Sequence, residues 1–328
     1  MLQASRRFAR PALYANPAPR PIGQAKLTST FTIAHLTDPH LPPAPWPPRG
    51  ELAVKRVLGF LNWKRGRERW TDAAMLGRLV ADIRAQGPDH VAMTGDIANL
   101  ALEGEFAAGA EWLKTLGPPA AVSFVPGNHD AYVAQALPSL DAVFAPWTAG
   151  DAAREDAERF PYLRVRGNVA VIGVNSGVPT ALFMATGKVG DAQLGRLRAL
   201  LADCRARCLA RIVLIHHAPA PGLARMRRMT DAEGLMKVLS EEGAELALHG
   251  HHHKRMLSFI PSARTRLRGG AIPVIGAPSA STLLQDERRR AAYHLARLET
   301  DGDAMYIAVT ARGPGDGGVG IVELAKLL

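Results

Sequence analysis

The chain has 328 residues, of which 47% are hydrophobic and 21% charged, and its 40 Lys and Arg against 30 Asp and Glu give a net charge of +10. This length suits one large domain or two modest ones, no apolar run approaches the roughly 18–20 residues of a membrane span, and two cysteines exclude a disulfide scaffold. The positive charge indicates an anionic partner, which on charge alone is a nucleic acid, an anionic membrane surface or a small phosphate ester.

Strand and helix patterns alternate along most of the chain. In chain order they predict a strand at 31–37, a helix at 71–85, a strand at 90–94, a helix at 102–116, strands at 121–125 and 169–174, a helix at 192–208, a strand at 212–215, a helix near 231–239 and a strand at 246–248. From residue 271 onwards the pattern changes to strands and turns, with strands at 272–275, 291–298 and 304–310. This succession predicts a layered α/β fold with sheets inside and helices outside.

The two ends of the chain differ from the rest in composition. Residues 1–27 are rich in arginine and proline and contain no acidic residue, which predicts a disordered basic tail. The glycine-rich stretch 313–320 predicts a flexible linker that leads into a short apolar tail at 321–328. No linker interrupts residues 28–312, so we expect them to form one domain.

Aspartate, asparagine and histidine directly follow five of the predicted strands. They are Asp38 and His40 after the first strand, Asp96 after 90–94, Asn128 and His129 after 121–125, His216 and His217 after 212–215, and His249, His251, His252 and His253 after 246–248. In α/β sheets ligands bind beyond the carboxyl ends of the strands, so these side chains should converge. Oxygen and imidazole donors without a thiolate suit Mn, Fe or Zn. They are too many for one ion, which predicts a pair of metal ions that together bind a phosphoryl group.

These motifs resemble, in their order, those of the calcineurin-like metallophosphoesterases. The resemblance covers about residues 31–282 and rests on Asp38-x-His40, Gly95-Asp96, Gly127-Asn128-His129-Asp130, a strand ending in His216, and Gly250-His251-x-His253. The similarity is to the bacterial branch that contains class III cyclic nucleotide phosphodiesterases and glycerophosphodiesterases. It implies a four-layer α/β/β/α sandwich of two mixed sheets flanked by helices, with a dinuclear metal site.

The resemblance also implies a role for each motif residue. One metal ion would be bound by Asp38, His40 and His253, the other by Asn128, His216 and His251, and Asp96 would bridge them. A metal-bridging hydroxide would attack phosphorus in line. His129 would act with Asp96 in catalysis, either stabilising the transition state or protonating the leaving group. Asn128, His129 and Arg227 are the predicted substrate contacts.

Several neighbouring residues have plainer interpretations. Strand alternation should turn His217 to the face opposite His216, which favours His216 as the ligand. His35 is expected to be packed or hydrogen-bonded, and Asp130 to orient the turn or a neighbouring ligand. His249 and His252 flank the ligands without joining them. Cys204 and Cys208 continue an apolar helix stripe, which predicts core packing instead of a metal pair.

The segment 49–70 is basic and amphipathic. Between Arg49 and Arg69 it carries seven Lys or Arg and two Glu, a local net charge of +5. Its predicted apolar face consists of Val54, Val57, Leu58 and Leu61. A basic amphipathic helix is typical of a membrane-surface element, but the same pattern fits a cap that packs on the domain and covers the active site. The sequence leaves both possibilities open.

The sequence therefore predicts a cytoplasmic, dinuclear metal-dependent phosphodiesterase. One alternative is a lipid-linked pyrophosphatase or phospholipid phosphoesterase that meets an anionic membrane through 49–70. Another is a non-catalytic metal-binding scaffold. No nucleic acid partner is expected, because no interleaved aromatic and basic residues form a stacking pattern.

Overall fold

Two six-stranded sheets carry the fold. The computed structural model describes residues 29–152, 158–220, 223–301, 304–317 and 320–328, and the predicted tail at 1–27 lies outside them. The strands are β1 (Thr30–Leu36), β2 (His90–Met93), β3 (Val122–Phe124), β4 (Tyr162–Arg166), β5 (Val169–Gly173), β6 (Ala210–Leu214), β7 (Leu246–His249), β8 (Met256–Pro261), β9 (Ala271–Gly276), β10 (Tyr293–Asp301), β11 (Ala304–Pro314) and β12 (Ile321–Lys326). The α-helices are α1 (Val54–Arg65), α2 (Ala73–Gln86), α3 (Glu103–Leu116), α4 (Leu137–Thr148), α5 (Asp191–Ala206) and α6 (Ala232–Glu242).

Both sheets are mixed. The first has the strand order β12-β11-β10-β1-β2-β3 and the second β4-β5-β6-β7-β9-β8. Parallel pairing joins β1, β2 and β3 in the first sheet and β5, β6, β7 and β9 in the second, while the remaining pairs are antiparallel. Within each sheet, the loops that leave the parallel strands at their carboxyl ends therefore emerge along one edge.

Alternate residues of the strands face two different cores. Ile33 of β1 packs in a cluster between the sheets with Val171 and Ile212, whereas the next residue, Ala34, packs on the other face with Leu79 of α2. A third cluster joins the outer face of the second sheet to α5 and α6. Since the period of a strand is two, each strand serves both of its faces. The predicted four-layer α/β/β/α sandwich is confirmed.

The carboxyl-terminal region differs from the prediction of a linker and short tail at 313–328. Strand β11 continues to Pro314, and β12 pairs with it antiparallel as the edge of the first sheet. Gly315, Gly317 and Gly320 lie in the connection between the two strands, where Gly317 and Gly320 have positive φ values of 84° and 75°. Glycine-rich composition fits a tight turn as well as a linker, and only the pairing of β12 distinguishes the two.

Helix α1 packs through a different face from the predicted one. Val54 is 69% exposed, and Leu58 and Leu61 are also exposed, whereas Arg56 and Trp63 are buried. The Arg56 guanidinium donates hydrogen bonds to the carbonyl oxygens of Leu100 and Ala101, the former at 3.0 Å. Buried carbonyl groups need donors, so the packed face of α1 includes a cation, whereas the apolar pattern predicted a hydrophobic face made of other residues.

A buried ion pair joins β6 to the start of β7. The side chains of Arg211 and Glu245 are almost fully buried, with Arg211 Nη2 2.8 Å from Glu245 Oε1. Glu245 also accepts hydrogen bonds from the backbone N–H of Arg211 and Arg266. This network fixes the amino-terminal ends of the two strands whose carboxyl ends lead to His216 and His251.

We expect Arg211→Ala to lower the free energy of unfolding by about 3–5 kcal/mol, because Glu245 would stay buried without its partner. Urea unfolding followed by circular dichroism measures this loss. Arg207→Ala is the matched control, since its 3.1 Å pair with Asp203 is exposed and should contribute less than about 1 kcal/mol. Equally small losses in both variants would contradict the importance of the buried pair.

Candidate metal centre

The loops after β1, β2, β3, β6 and β7 meet at one place, and the predicted metal-binding residues lie in them. Asp38 and His40 follow β1, Asp96 follows β2, Asn128 follows β3, His216 follows β6, and His251 and His253 follow β7. All of these side chains are buried except that of His253, which is partly exposed. Because β6 and β7 belong to the second sheet, both sheets contribute donors to the same place.

The first group of donors consists of Asp38, His40, Asp96 and His253, whose ligand atoms all lie within 4.8 Å of one another. His253 Nε2 is 3.1 Å from Asp38 Oδ1 and 3.3 Å from His40 Nε2. His40 Nε2 is in turn 3.7 Å from Asp96 Oδ2. Two imidazoles and two carboxylates thus direct their donor atoms to one point.

Asp96 also reaches the second group of donors. The same oxygen, Oδ2, that faces His40 lies 3.4 Å from His216 Nε2. The His216 and His251 rings are in edge contact, with their centroids 5.2 Å apart. The carboxylate of Asp96 therefore stands between the two histidine groups, as a bridging ligand must.

His217 differs from its prediction. Its ring does not turn away from the site but lies against His251, with centroids 4.4 Å apart, and it forms a donor group with His216 and His251 within 4.8 Å. Strand alternation fails here because β6 already ends at Leu214, so both histidines lie in the loop. Ser176 Oγ lies 2.9 Å from His217 Nδ1, and the buried Nε2 has no hydrogen-bond partner among the described residues.

The electrostatics of the site favour bound positive charge. Burial by itself would raise the pKa of Asp96, but chiefly the facing imidazole of His216 holds this pKa well below its usual value. Burial would likewise lower the pKa of His216, yet the carboxylates of Asp96 and Asp38 raise it to about 9. The Asp96 and Asp38 carboxylates therefore stay ionised and stabilise a cation beside them.

Hydrogen bonds aim the ligand atoms into the site. His216 Nδ1 lies 2.6 Å from the Thr94 carbonyl oxygen and His40 Nδ1 lies 3.2 Å from that of Ala98. Each ring therefore donates its Nδ1 proton to a carbonyl and directs Nε2 into the site. His35, behind the site, is hydrogen-bonded to Thr94 Oγ1 at 2.9 Å, as its plainer interpretation expects.

Asp130 organises the loop that carries Asp96. Its Oδ2 accepts hydrogen bonds from the backbone N–H of Asp96 at 2.7 Å and of Gly127 at 2.8 Å. Its Oδ1 accepts one from the N–H of Ala98 at 2.9 Å. These three contacts join the Asp96 loop to the Asn128 loop, in agreement with the orienting role expected for Asp130.

His129 lies beside the donor groups and faces the cavity. Its Nδ1 donates a hydrogen bond to the Asn99 carbonyl oxygen at 2.7 Å, which makes Nε2 the acceptor nitrogen of the ring. Nε2 lies 3.3 Å from Nη2 of Arg67. Burial, together with the Arg67 charge, lowers the pKa of His129 to about 4.

A cavity of about 350 Å³ opens over these residues. Its walls include Arg67 and Trp70 from the segment 49–70, Arg227, and Arg289. Arg227 was predicted, and its carbonyl oxygen also lies 2.9 Å from His251 Nε2. Sequence reasoning missed Arg67, Trp70 and Arg289 as site residues, because each sits in a charged stretch that carries no spacing signal.

The donor set fits a pair of metal ions. Nε2 atoms of His40 and His253 face each other, and the buried Asn128 Oδ1 has no hydrogen-bond partner within the described residues. Buried polar atoms are nearly always paired, so convergent unpaired donors indicate a place for a cation. Imidazole nitrogens with carboxylate and amide oxygens, and no thiolate, are typical of Mn, Fe or Zn.

Comparison with known proteins identifies the family. Residues 31–255 match the family model described as calcineurin-like phosphoesterase. The chain belongs to the calcineurin-like phosphoesterase family. This confirms the resemblance noted in the motifs and makes the protein a member of a family of metal-dependent phosphoester hydrolases. The particular bacterial branch stays a prediction, and no curated protein sequence matches the chain.

Solved structures share the fold of this family member. A dimetal phosphatase from Danio rerio is 15% identical with a TM-score of 0.50, and the match covers 90% of this chain and 98% of that one. A purple acid phosphatase from yellow lupin (Lupinus luteus) seeds is 12% identical with a TM-score of 0.53, covering 87% of this chain and 52% of that one. In the described residues, no helix is long and apolar enough to cross a bilayer.

We expect Asp130→Asn to weaken metal binding by about 10- to 100-fold, because one carboxylate oxygen is replaced by an amide donor that faces backbone N–H groups. The same conflict should lower the free energy of unfolding by about 1–3 kcal/mol. Metal titration and urea unfolding measure the two effects. Asp141→Asn is the control, since Asp141 is exposed and lies 3.9 Å from Arg159; a variant at Asp130 that binds metal as tightly as this control would refute the role.

Proposed function

We propose that this protein is a dinuclear metal-dependent hydrolase of phosphodiesters. The observation that carries the proposal is the position of Asp96 Oδ2, 3.7 Å from His40 Nε2 and 3.4 Å from His216 Nε2, between two groups of donors. Membership of the phosphoesterase family supports the hydrolase, and the arginine-lined cavity supports an anionic substrate.

In this proposal each ligand keeps the role that the motifs imply. Asp38, His40 and His253 would hold one ion, Asn128, His216 and His251 the other, and Asp96 both. When bound, such a pair of Mn, Fe or Zn ions supplies Lewis-acid activation of water and of the phosphoryl group. The residues of the chain would orient the ester and donate the proton that the leaving group needs.

His129 is the proposed proton donor to the leaving group. Its Nδ1 proton is committed to the Asn99 carbonyl oxygen, so a second proton would sit on Nε2, which faces the cavity. The ring is neutral before substrate binds, because burial holds its pKa at about 4. An anionic phosphoryl group near Nε2 favours the charged ring and should raise this pKa. The proton on Nε2 would then pass to the departing oxygen.

We expect Asp96→Ala and Asn128→Ala to reduce hydrolysis of bis-p-nitrophenyl phosphate by at least about a hundredfold, because each removes a group that stabilises charge at the reacting phosphate. Release of p-nitrophenol measures the rate, and circular dichroism checks that the variants remain folded. Asn168→Ala is the matched control, since the Asn168 side chain bonds Ser29 Oγ on the exposed surface.

Metal analysis separates the possible outcomes of this experiment. Chelation should abolish the activity of the unmodified protein, and a panel of Mn²⁺, Fe²⁺ and Zn²⁺ should restore it. Full activity in the Asp96 or Asn128 variants would refute the proposed centre. A metal-loaded protein that hydrolyses no mono- or diester would favour the non-catalytic scaffold.

A second candidate function is hydrolysis of a lipid-borne phosphoester at a membrane surface. Trp70 lines the cavity and is 51% exposed, and Phe183, which is 80% exposed, lies two residues before Ala185 of the cavity wall. Phe183 lies in the loop that receives the Lys55 ammonium of α1 at Thr180, so this loop adjoins the exposed Val54 end of α1. Apolar side chains among Lys and Arg are the combination that interfacial proteins use on anionic lipid.

We expect the protein to co-float with phosphatidylglycerol vesicles at low salt, and the double variant Val54→Ser, Leu58→Ser to lose this binding, because its apolar contact with the lipid is removed. Val322→Ser, which changes an exposed residue on β12, should bind as the unmodified protein does. Hydrolysis of bis-p-nitrophenyl phosphate should be equal in all three. Failure of the unmodified protein to bind anionic vesicles would contradict this second function.

A further inference from the structure

One positively charged side chain of the segment 49–70, that of Arg67, extends into the metal centre. Arg67 follows α1 in a short 3-10 turn, Arg67–Arg69, and its guanidinium lines the cavity together with His40, Asp96 and His129. Nη1 lies 3.2 Å from His40 Nδ1, and Nη2 lies 3.3 Å from His129 Nε2. Arg67 thus reaches both a proposed metal ligand and the proposed proton donor.

The start of the segment is fixed on the loops that carry the site. Lys55 Nζ donates to the carbonyl oxygens of Tyr132 and Thr180, each at 2.8 Å, and Arg56 donates to that of Leu100 at 3.0 Å. A Cβ atom at Gly59 would lie only 2.5 Å from Tyr132 Oη, so α1 approaches the loop of His129 as closely as its backbone allows. This end of the segment is therefore attached to the loops that carry the site.

The end of the segment is fixed on the opposite side of the cavity. The backbone N–H of Asp72 donates to the Ser281 carbonyl oxygen at 2.8 Å, and that of Leu283 donates to the Trp70 carbonyl oxygen at 2.8 Å. Arg67 lies between these two anchored ends. The backbone position of Arg67 is therefore set by the Lys55 and Arg56 side chains on one side and by main-chain hydrogen bonds on the other.

The contacts of Arg67 leave its donors without a full set of acceptors. His40 Nδ1 faces the Ala98 carbonyl oxygen at 3.2 Å and donates its proton there, so it cannot also accept one from Arg67. Nη2 has an acceptor in His129 Nε2 at 3.3 Å, but among the described residues Arg67 forms no ion pair with a carboxylate. A partly buried guanidinium that points into a cavity is best satisfied by oxygen atoms of an anion, which it can bind with two parallel N–H groups.

We propose that Arg67 is a substrate-binding residue, whose guanidinium donates to non-bridging oxygens of the phosphoryl group at the metal centre. Through Arg67, the segment 49–70 then contributes directly to substrate binding. This inference rests on the proposed function, since it assumes that a phosphoester occupies the cavity. It also assigns the segment a role that its composition alone does not indicate.

The test compares Arg67→Ala and Arg67→Lys with the control Arg69→Ala, which removes an exposed arginine from the same turn. Isothermal titration of inorganic phosphate into the metal-loaded proteins should show binding weakened roughly tenfold to a hundredfold in Arg67→Ala, because a charged pair of hydrogen bonds is lost. The phosphate affinity of Arg67→Lys should lie between those of Arg67→Ala and the unmodified protein, because lysine keeps the charge but lacks the two parallel N–H groups. Arg69→Ala should bind phosphate like the unmodified protein.

Two further readouts distinguish contact with the substrate from support of the site. Metal content and melting temperature should be the same in Arg67→Ala and Arg69→Ala, while kcat/KM for bis-p-nitrophenyl phosphate should fall in Arg67→Ala by roughly the factor measured for phosphate. Unchanged phosphate affinity in a metal-loaded Arg67→Ala would overturn the proposal. So would a loss of metal, because Arg67 would then act through His40.

The outcomes also separate this inference from the proposed function. Should Arg67→Ala fail to fold, Arg67→Gln, which keeps the length of the polar side chain, takes its place in the titration. Phosphate binding that depends on Arg67 in a protein without diester hydrolysis would support the anion contact and refute the phosphodiesterase. Full hydrolysis by Arg67→Ala would refute the anion contact and leave the phosphodiesterase supported.

Discussion

Left-handed backbone at the ends of β1, β2 and β7 is the constraint on which the metal centre depends. Most of the proposed ligands adopt positive φ values, namely Asp38 (50°), His40 (39°), Asp96 (58°), His251 (69°) and His253 (48°). A non-glycine residue pays about 1–2 kcal/mol for this conformation, and such strain persists only where the surrounding structure fixes it. The turns bend back sharply enough to direct residues two apart, such as Asp38 and His40, to the same point.

Hydrogen bonds between the loops hold this strained arrangement. The N–H of Asp38 donates to the Gly95 carbonyl oxygen and that of His40 to the Asp96 carbonyl oxygen, each at 3.0 Å. The N–H of His251 donates to Asp38 Oδ2 at 2.9 Å, which joins the second sheet to the first. The two sheets thereby bring together loops whose hydrogen bonds hold the strained turns, which no single turn could do alone. The segment 49–70 adds Arg67 to these loops.

Most of the central elements could be predicted from apolar periodicity, because β1, β2, β6 and β7 are buried on both faces. The sequence analysis did not predict α4, β4, β8 or β12, and in β4 the reason is a polar residue with tertiary partners. In β4, Arg164 interrupts the apolar pattern, yet it is buried and donates to the carbonyl oxygens of Ala149 and Val122. Arg56 in α1 reverses the expected packing face for the same reason. A prediction from apolar periodicity assigns every arginine to the exposed face. It is therefore wrong for an arginine that is buried and donates hydrogen bonds to buried carbonyl groups.

The sequence by itself determined which residues gather at the metal centre, because aspartate, asparagine and histidine directly after parallel strands must emerge on one edge of their sheet. It also determined the family, through the order and spacing of those motifs. Only the tertiary structure decided that His217 faces the site, that β12 closes the first sheet, and that Arg67 enters the cavity. Each of these depends on contacts between residues far apart in the chain, such as Lys55 with Thr180, and such contacts leave no local pattern in the sequence.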